Sequence, residues 1–353
     1  MLDPHLSNRL RSGCVIPAHP LALTAEKNID ERHQAALTRY YLAAGAGGLA
    51  VGVHTTQFAI HEEKVGLYRL VLQLAAETAQ QFTESGNCAT PILIAGIVGD
   101  TDKAVKEAEI AQDLGYHIGL LSLTALRGKP TGSLIEHTRQ VSEVIPIMGF
   151  YLQEAISHMV LPADFWVKFV EIPGVVAIKI APFNRYHTLD VLQAVARSGR
   201  SSDIALYTGN DDNIILDLLT RHEFTIAGRT VAVQIVGGLL GQWACWTKRA
   251  VEYLQRIKEI RTRNLKIPPD LLTLAAQLTL ANKAIFDADN RFVGCIPGVG
   301  YVLAGQGLVR GVFSLDPAEK LSADQTQKID RVVRDYPWLT DDDFVKENLH
   351  NWL

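Results

Sequence analysis

The sequence predicts an α/β protein, and more specifically a (β/α)8 TIM barrel with a C-terminal helical extension. Short runs rich in Val, Ile and Leu alternate along the 353 residues with longer segments whose apolar positions recur at helical spacing. The short runs lack polar alternation, which is typical of strands buried on both faces of a parallel sheet covered by helices. Eight such strands with helices between them fit a closed barrel, and a doubly wound sheet of similar content is the alternative.

Eight apolar runs are predicted to be the barrel strands. They are rich in branched aliphatic residues, which favour strands, and glycine or polar residues follow most of them. In chain order, the predicted strands are Cys14–Ala18, Gly48–Val53, Ile92–Ile97, Ile118–Leu123, Ile145–Phe150, Val175–Ala181, Ile204–Tyr207 and Val233–Val236.

The segments between these strands have the periodicity of amphipathic helices. Their apolar residues recur every three to four positions, so each helix can cover one part of the barrel wall. In chain order, the predicted helices are Ile29–Ala44, Lys64–Phe82, Asp102–Leu114, Ser133–Val144, Pro162–Glu171, Leu189–Ala196 and Asn213–Thr220.

The chain after the last predicted strand contains helical patterns only. These cover Trp243–Arg261 and Pro269–Phe286, and a Gly-rich passage and a polar, acidic tail follow them. We therefore expect residues 11–255 to form the barrel domain and residues 256–353 to form the helical extension.

The composition argues against several classes of partner. A net charge of −4 leaves no basic surface for nucleic acid or anionic lipid, so neither is expected as a partner. No stretch approaches the roughly 18 uninterrupted apolar residues of a membrane span. Residues 1–11 lack the apolar centre of a signal peptide, and we expect a cytoplasmic protein.

Neither a metal nor an organic cofactor is expected. The Gly-rich stretches lack the spacing of nucleotide-binding loops, and the histidines lack that of metal ligands. Asp211 and Asp212 directly precede a predicted helix, which favours a role in helix capping. The four cysteines are scattered, as is typical of free thiols in a reducing compartment.

One charged residue, Lys179, interrupts the apolar run Val175–Ala181. Because an unpaired ammonium is costly to bury, such a lysine tends to become neutral. A neutral lysine amine is a nucleophile that forms imines with carbonyl compounds. The alternatives are a buried carboxylate partner or a side chain that reaches solvent at the end of the strand.

Other candidate residues follow the strand ends, where the chemistry of such barrels is found. His54 follows the second strand and is either an acid–base group or a hydrogen-bonded residue of the barrel mouth. Arg185 and, less directly, Arg127 are candidates for anion binding, with a salt-bridged or surface arginine as the alternative. Gly238 permits a close approach of the backbone to a ligand.

The order of motifs resembles the dihydrodipicolinate synthase / N-acetylneuraminate lyase family of class I, Schiff-base-forming aldolases. The resemblance runs from about residue 11 to about residue 300 and indicates a divergent member. The matching segments are Ile16-Pro17-Ala18, Gly45–Gly52 leading into Val53–Thr56, Ile145-Pro146, Ile178-Lys179 and Thr208–Asp212.

This resemblance implies roles for individual residues. Lys179 would be the Schiff-base lysine, and Thr55 and Thr56 would hold the substrate carboxylate. A tyrosine at the end of the fifth strand would carry the proton; Phe150 and Tyr151 both fit that position, and we expect Tyr151 because only it has a phenol. The tyrosine pair and the arginine with which true dihydrodipicolinate synthases bind the second substrate are absent, so that activity itself is not expected.

We therefore expect a lyase or aldolase that forms a lysine Schiff base with a 2-keto acid, above all pyruvate, and breaks or makes a C–C bond with an aldehyde. A Schiff-base dehydratase or hydratase is one alternative, and a non-catalytic keto-acid-binding or scaffold barrel is another. The resemblance also implies a homo-oligomer, either a tetramer or a dimer.

Overall fold

The computed structural model describes residues 2–353 and contains a closed barrel of parallel strands. The strands are β1 (Val15–Pro17), β2 (Gly48–Val51), β3 (Ile92–Ile97), β4 (Ile118–Leu121), β5 (Ile147–Leu152), β6 (Val175–Ala181), β7 (Ala205–Thr208), β8 (Arg221–Ile226) and β9 (Arg229–Leu240).

The helices lie before, between and after these strands. They are α1 (Pro4–Ser12), α2 (Glu31–Ala44), α3 (Tyr68–Glu84), α4 (Thr101–Asp113), α5 (Thr131–Val144), α6 (Glu154–Ser157), α7 (Ala163–Phe169), α8 (Arg185–Arg197), α9 (Ile214–Leu219), α10 (Thr247–Thr262), α11 (Pro269–Ile285), α12 (Cys295–Gly305), α13 (Gln325–Asp335) and α14 (Asp342–Trp352).

Eight of the strands close into a ring. Their order around the wall is β1, β9, β7, β6, β5, β4, β3 and β2, and all these neighbours are parallel. A parallel bridge between Ala18 and Ala50 joins the two ends, and the N–H of His19 donates to the Ala50 carbonyl at 2.8 Å. The predicted TIM barrel is therefore confirmed, and the alternative of an open, doubly wound sheet is wrong.

Side chains of the strands alternate between two apolar layers. Those that point inward, such as Ile94, Leu120 and Met148, fill the barrel, and those that point outward pack against the surrounding helices. The N-terminal end of the barrel is closed by α1. Its Leu10 joins the interior cluster, and the hydroxyl of Tyr207 donates to the Leu10 carbonyl at 2.8 Å.

The sequence did not predict the hairpin that β8 forms with the first half of β9. These strands pair antiparallel, and the turn between them places Ala227 and Gly228 at φ values of 48° and 79°. Two successive residues with positive φ match the twist of a tight hairpin. Because β8 alternates between exposed and half-buried positions, it lacks the continuous apolar run by which the barrel strands were recognised.

The helices after β9 cover both the side and the mouth of the barrel. Helix α10 packs against α2, α9 and β1, so the predicted boundary at residue 255 falls inside this helix. Helix α14 packs on α2, where the Tyr40 hydroxyl donates to Asp341 at 2.7 Å. Among residues 2–353, none of the helices combines the length and the apolar character that crossing a bilayer requires.

Candidate active site

Lys179 lies inside the barrel with its amine free. Residues 177, 179 and 181 of β6 point inward because strand side chains alternate, while Ile178 and Ile180 pack against the helices. Lys179 is 7% exposed, and its Nζ lies 4.4 Å from the centre of the Phe150 ring. It forms no hydrogen bond and no ion pair with any residue in the described part of the chain. The alternative of a lysine paired with a buried carboxylate at contact distance is therefore wrong.

Burial changes the charge of this amine. Desolvation lowers the pKa of Lys179 to about 8, and the nearby carboxylate of Asp211 offsets only part of that effect. At pH 7 about a tenth of the side chain is therefore the neutral amine, which is the nucleophilic form and is far scarcer in an exposed lysine.

The space for the lysine side chain depends on Gly209, which follows β7. A Cβ at this position would lie 2.8 Å from Cε of Lys179 and 2.7 Å from Cβ of Ala181. Only glycine leaves the lysine its present path across the barrel. Glycine is needed here because the Lys179 and Ala181 side chains approach the backbone closely, and not because the backbone has a positive φ.

A cavity of about 50 Å³ lies beside the amine at the C-terminal end of the barrel. By the same measure a single water needs roughly 10–15 Å³, so the cavity has room for a molecule of a few heavy atoms. Four phenylalanines, Phe150, Phe183, Phe286 and Phe292, form much of its wall. Its polar side chains are His54, Thr55, Gln153, Lys179, Asp211 and Cys295.

The loop after β2 brings His54 and Thr55 to this cavity, but it does not bring Thr56. Burial, together with the nearby charge of Lys179, lowers the pKa of His54 to about 4, so its imidazole is neutral at pH 7. The hydroxyl of Thr55 donates to the Ala18 carbonyl at 2.7 Å. The hydroxyl of Thr56 donates to the His19 carbonyl at 2.6 Å and accepts from the N–H of Gly52, so Thr56 holds the loop in shape away from the cavity.

The structure contradicts the expected position of Tyr151. Phe150, not Tyr151, lies beside Lys179 in the pairing of β5 with β6, and alternation turns Tyr151 to the outer face. There its hydroxyl bonds to the carbonyl and N–H of Leu161, at 3.2 and 3.3 Å, and its ring stacks on His187. The expected contact between Tyr151 and the lysine is wrong, because a shift of one residue moves a side chain to the opposite face of the strand.

Arg185 and Gly238 also lie outside the cavity. Arg185 pairs with Asp217, a buried carboxylate on α9 that also accepts from Thr208, so its role is to fix the segment after β7. Gly238 packs under the ring of Trp243, and Gly241 lines the cavity in its place. Arg127, the second candidate for anion binding, is an exposed residue that is not part of the cavity wall.

Asp211 is the functional candidate that the sequence interpretation missed. It does not cap α9, the helix that follows it: its Oδ1 accepts the N–H of Gln242 at 2.9 Å, and its backbone carbonyl accepts from Asn282 at 2.6 Å. Burial raises the pKa of Asp211 to about 7, against the lowering effects of that hydrogen bond and of Lys179. The sequence signal that could have indicated Asp211 is its position directly after β7, because active-site residues of such barrels lie at the C-terminal ends of the strands.

Gln153, Phe292 and Cys295 were also missed. Gln153 follows β5 directly, whereas Phe292 and Cys295 come from the C-terminal segment that folds over the barrel mouth. No sequence spacing relates that segment to the strands. In residues 2–353, no group of three His, Cys, Asp or Glu side chains is arranged to hold a metal ion.

These residues define a parallel barrel in which a free, buried lysine faces a small cavity at the C-terminal end of the strands. Solved structures with the same fold include a dihydrodipicolinate synthase from Oceanobacillus iheyensis, with 16% identity, a TM-score of 0.72 and coverage of 95% of this chain and 99% of that chain. An N-acetylneuraminate lyase from Fusobacterium nucleatum has 13% identity, a TM-score of 0.70 and coverage of 92% and 99%.

A dihydrodipicolinate synthase from Acinetobacter baumannii, complexed with pyruvate, has 16% identity, a TM-score of 0.72 and coverage of 92% and 98%. No protein-family model and no curated protein sequence matches the chain. Identities this low establish the fold alone. The fold that the motif resemblance implied is therefore confirmed.

Proposed function

We propose that this protein is a lyase of the dihydrodipicolinate synthase / N-acetylneuraminate lyase type that forms a Schiff base between Lys179 and a 2-keto acid, pyruvate above all. The observation that carries the proposal is the unpaired amine of Lys179 beside a small cavity at the C-terminal end of the barrel. The pyruvate complex of a structural neighbour with the same fold supports the choice of keto acid.

The cavity offers groups for the carboxylate of the keto acid. His54 and Thr55 line it, and their backbone N–H groups have no acceptor among residues 2–353; Gln153, which has a side-chain amide, lines it as well. Such donors, together with a cation at Lys179, are suited to an anion of this size. Thr56 acts indirectly, because it fixes the loop that presents these N–H groups.

The reaction begins when the neutral amine of Lys179 adds to the keto carbon. The resulting carbinolamine loses its hydroxyl as water after protonation, which leaves a protonated imine. This cation accepts the electrons of a neighbouring C–H or C–C bond when that bond breaks, and an enamine results. Addition of the enamine to an aldehyde makes a C–C bond, and hydrolysis of the imine then frees the lysine.

Each of these steps moves a proton, and we assign that role to Asp211. Phe150 occupies the position beside the lysine and has no hydroxyl, so no phenol is available there. A carboxyl whose pKa is close to the working pH both gives and takes protons efficiently. His54 borders the same cavity as a neutral imidazole and is suited to binding the keto acid or a water.

Trapping of the imine tests the proposal. Incubation with pyruvate and borohydride should add the mass of one reduced pyruvate, and peptide mapping should place it on Lys179. Lys179→Arg should remove the adduct. Lys258→Arg is the matched control, because burial also lowers the pKa of Lys258, which is half-buried and lies outside the cavity, and it should keep the adduct. An adduct that survives in Lys179→Arg would refute the Schiff-base assignment.

Replacement of Asp211 tests the proton carrier. Asp211→Asn should lower kcat by roughly 10²–10⁴, the usual range for loss of general acid–base catalysis, while Lys179 is still trapped by pyruvate at long incubation times. The exposed Asp102→Asn is the control and should leave kcat unchanged. A kcat for Asp211→Asn within threefold of wild type would exclude the assignment.

A barrel that binds the keto acid without turning it over is the second candidate. The replacement of a phenol by Phe150 favours it, because the reaction loses its most direct proton carrier. Trapping on Lys179 combined with no turnover of any aldehyde would support this candidate. The homo-oligomer, a tetramer or a dimer, and the cytoplasmic location stay predictions, and light scattering in solution tests the first.

A further inference from the structure

A second pocket adjoins the lysine cavity. This outer pocket has a volume of about 230 Å³ and lies between the segment after β7 and helix α11. Its exposed atoms are nearly all carbon, contributed mainly by Phe183, Phe286, Phe292 and Ala288. Two polar side chains on its wall donate to the backbone: Thr279 donates to the Asp212 carbonyl and Asn282 to the Asp211 carbonyl. Oδ1 of Asn282 and Oδ1 of Asp212 are buried and have no hydrogen-bond partner among residues 2–353.

Four residues separate the outer pocket from the lysine cavity, since both are lined by Phe183, Asp211, Phe286 and Phe292. The rings of Phe183 and Phe292 meet edge to face with centres 5.6 Å apart. Both residues have positive φ, 52° and 66°, a conformation that is unfavourable for bulky side chains and is often found at ligand sites. The two rings therefore lie on the wall that the two spaces share.

The charges around the outer pocket disfavour an anionic ligand. No arginine borders either space, and the one lysine on the outer wall, Lys283, is paired with Asp289 at 2.9 Å. The carboxylates of Asp211 and Asp212 also line the outer pocket. A second carboxylate on the substrate would therefore meet like charge and lose its hydration without gaining a partner.

We propose that the outer pocket binds the side chain of the aldehyde partner and that this side chain is uncharged and apolar, with an aromatic ring as the best fit. The inference rests on the proposed function, since the aldehyde carbon must reach the enamine on Lys179. The volume is sufficient, because an apolar cavity of about 150 Å³ in another protein binds benzene. Phenylalanine rings also offer edge-to-face contacts to an aromatic guest.

The reaction that follows is the reversible cleavage of an aldol adduct of pyruvate with an aryl aldehyde. Lys179 forms the imine at the keto carbon with loss of water, and Asp211 takes the proton of the adduct's hydroxyl group. The C–C bond next to that hydroxyl breaks, its electrons form the enamine, and the aryl aldehyde leaves. Protonation of the enamine carbon and hydrolysis release pyruvate and restore the amine. No oxidant or reductant is needed.

Cleavage kinetics test the preference for an apolar partner. Release of pyruvate is measured from two adducts, one of pyruvate with benzaldehyde and one of pyruvate with glyoxylate, which carries a second carboxylate. We expect kcat/KM for the benzaldehyde adduct to exceed that for the glyoxylate adduct by about tenfold or more. Equal values, or a preference for the glyoxylate adduct, would overturn the inference.

A pocket-filling variant tests the location. Ala288→Phe should raise KM for the benzaldehyde adduct by about tenfold, with the smaller Ala288→Leu as a second variant if the first does not fold. The matched control is Leu272→Phe, which adds a ring at an exposed position of α11 outside both spaces. A KM that is unchanged in a folded Ala288 variant would contradict the assignment.

Binding without chemistry separates this inference from the proposed function. In Lys179→Ala, which cannot form an imine, saturation-transfer NMR should detect contact between the protein and the ring protons of benzyl alcohol. Ala288→Phe in that background should abolish the signal. If Lys179→Ala alone gives no signal with benzyl alcohol, the assignment of the outer pocket as a binding site is overturned, whatever the trapping experiment shows. A signal without pyruvate trapping keeps the pocket and refutes the Schiff base.

Discussion

The reactivity of Lys179 is set by its immediate neighbours. An exposed lysine is a cation with a pKa near 10.4, whereas this one is inside the barrel, and the nearest groups are an aromatic ring, a glycine and the wall of a small cavity. Asp211 is near enough to stabilise the ammonium, yet it forms no contact pair with it. Burial thus displaces the pKa values of both groups toward neutral pH, where a group can both take and give a proton efficiently.

Gly209 offers a test of this arrangement that does not change any reactive group. Gly209→Ala places a methyl group 2.8 Å from Cε of Lys179, so the lysine must move, and the rate of imine formation with pyruvate should fall by about tenfold or more. The control is Gly132→Ala in α5, where an added methyl meets no atom within 4 Å. A Gly209→Ala protein that is trapped at the wild-type rate would contradict the close-packing argument.

At the scale of single elements, β5 shows what the sequence could and could not predict. All eight barrel strands and every helix between them except the four-residue α6 were recognisable, because buried parallel strands and amphipathic helices have distinct periodicities. The sequence indicated less clearly which strand residues point into the barrel and which point toward the helices. Phe150 and Tyr151 are adjacent, and only the pairing of β5 with β6 shows that Phe150 faces Lys179.

Tyr151→Phe tests that strand register. The change should leave kcat and KM of the pyruvate reaction within about twofold of wild type, because the hydroxyl lies on the outer face of β5. It should lower the free energy of unfolding by about 1 kcal/mol through loss of the hydrogen bonds to Leu161. Urea unfolding and steady-state kinetics measure the two effects. A fall in kcat with unchanged stability would place Tyr151 back in the site.

The candidate site was predictable only in part, because tertiary contacts bring some of its residues together. Lys179, His54 and Thr55 follow from strand ends and motifs, and the structure brings all three to one cavity. Arg185 was misjudged because its partner, Asp217, lies on the next helix, α9, and no sequence signal pairs the two. Phe292 and Cys295 reach the cavity from the C-terminal segment, which is a tertiary contact that periodicity does not reveal.

At the scale of the whole molecule, buried histidines make stability depend on pH. His19 is fully buried at the barrel mouth, with hydrogen bonds from its ring to Thr38 and Pro20, and burial lowers its pKa from 6.5 to about 4. Below pH 6.5 the unfolded chain therefore binds a proton that the folded chain does not. The stability is fully present above pH 6.5 and is lost as the pH falls toward 4.

We expect the free energy of unfolding to fall between pH 7 and pH 5 by about 2 kcal/mol from His19 alone. His19→Asn should lower stability at pH 7 but should show a smaller loss on acidification. Urea unfolding at the two pH values checks both. An equal loss in wild type and variant would show that His19 is not responsible.

The most direct test of the central claim is the pH dependence of Lys179 modification by pyruvate and cyanoborohydride, followed by peptide mass spectrometry. The neutral amine reacts, so the rate should rise with pH and level off with a midpoint near pH 8, where burial places the pKa of this lysine. A rate that continues to climb to about pH 10.4, the range of an ordinary lysine, would contradict the account, as would modification of other lysines in preference to Lys179.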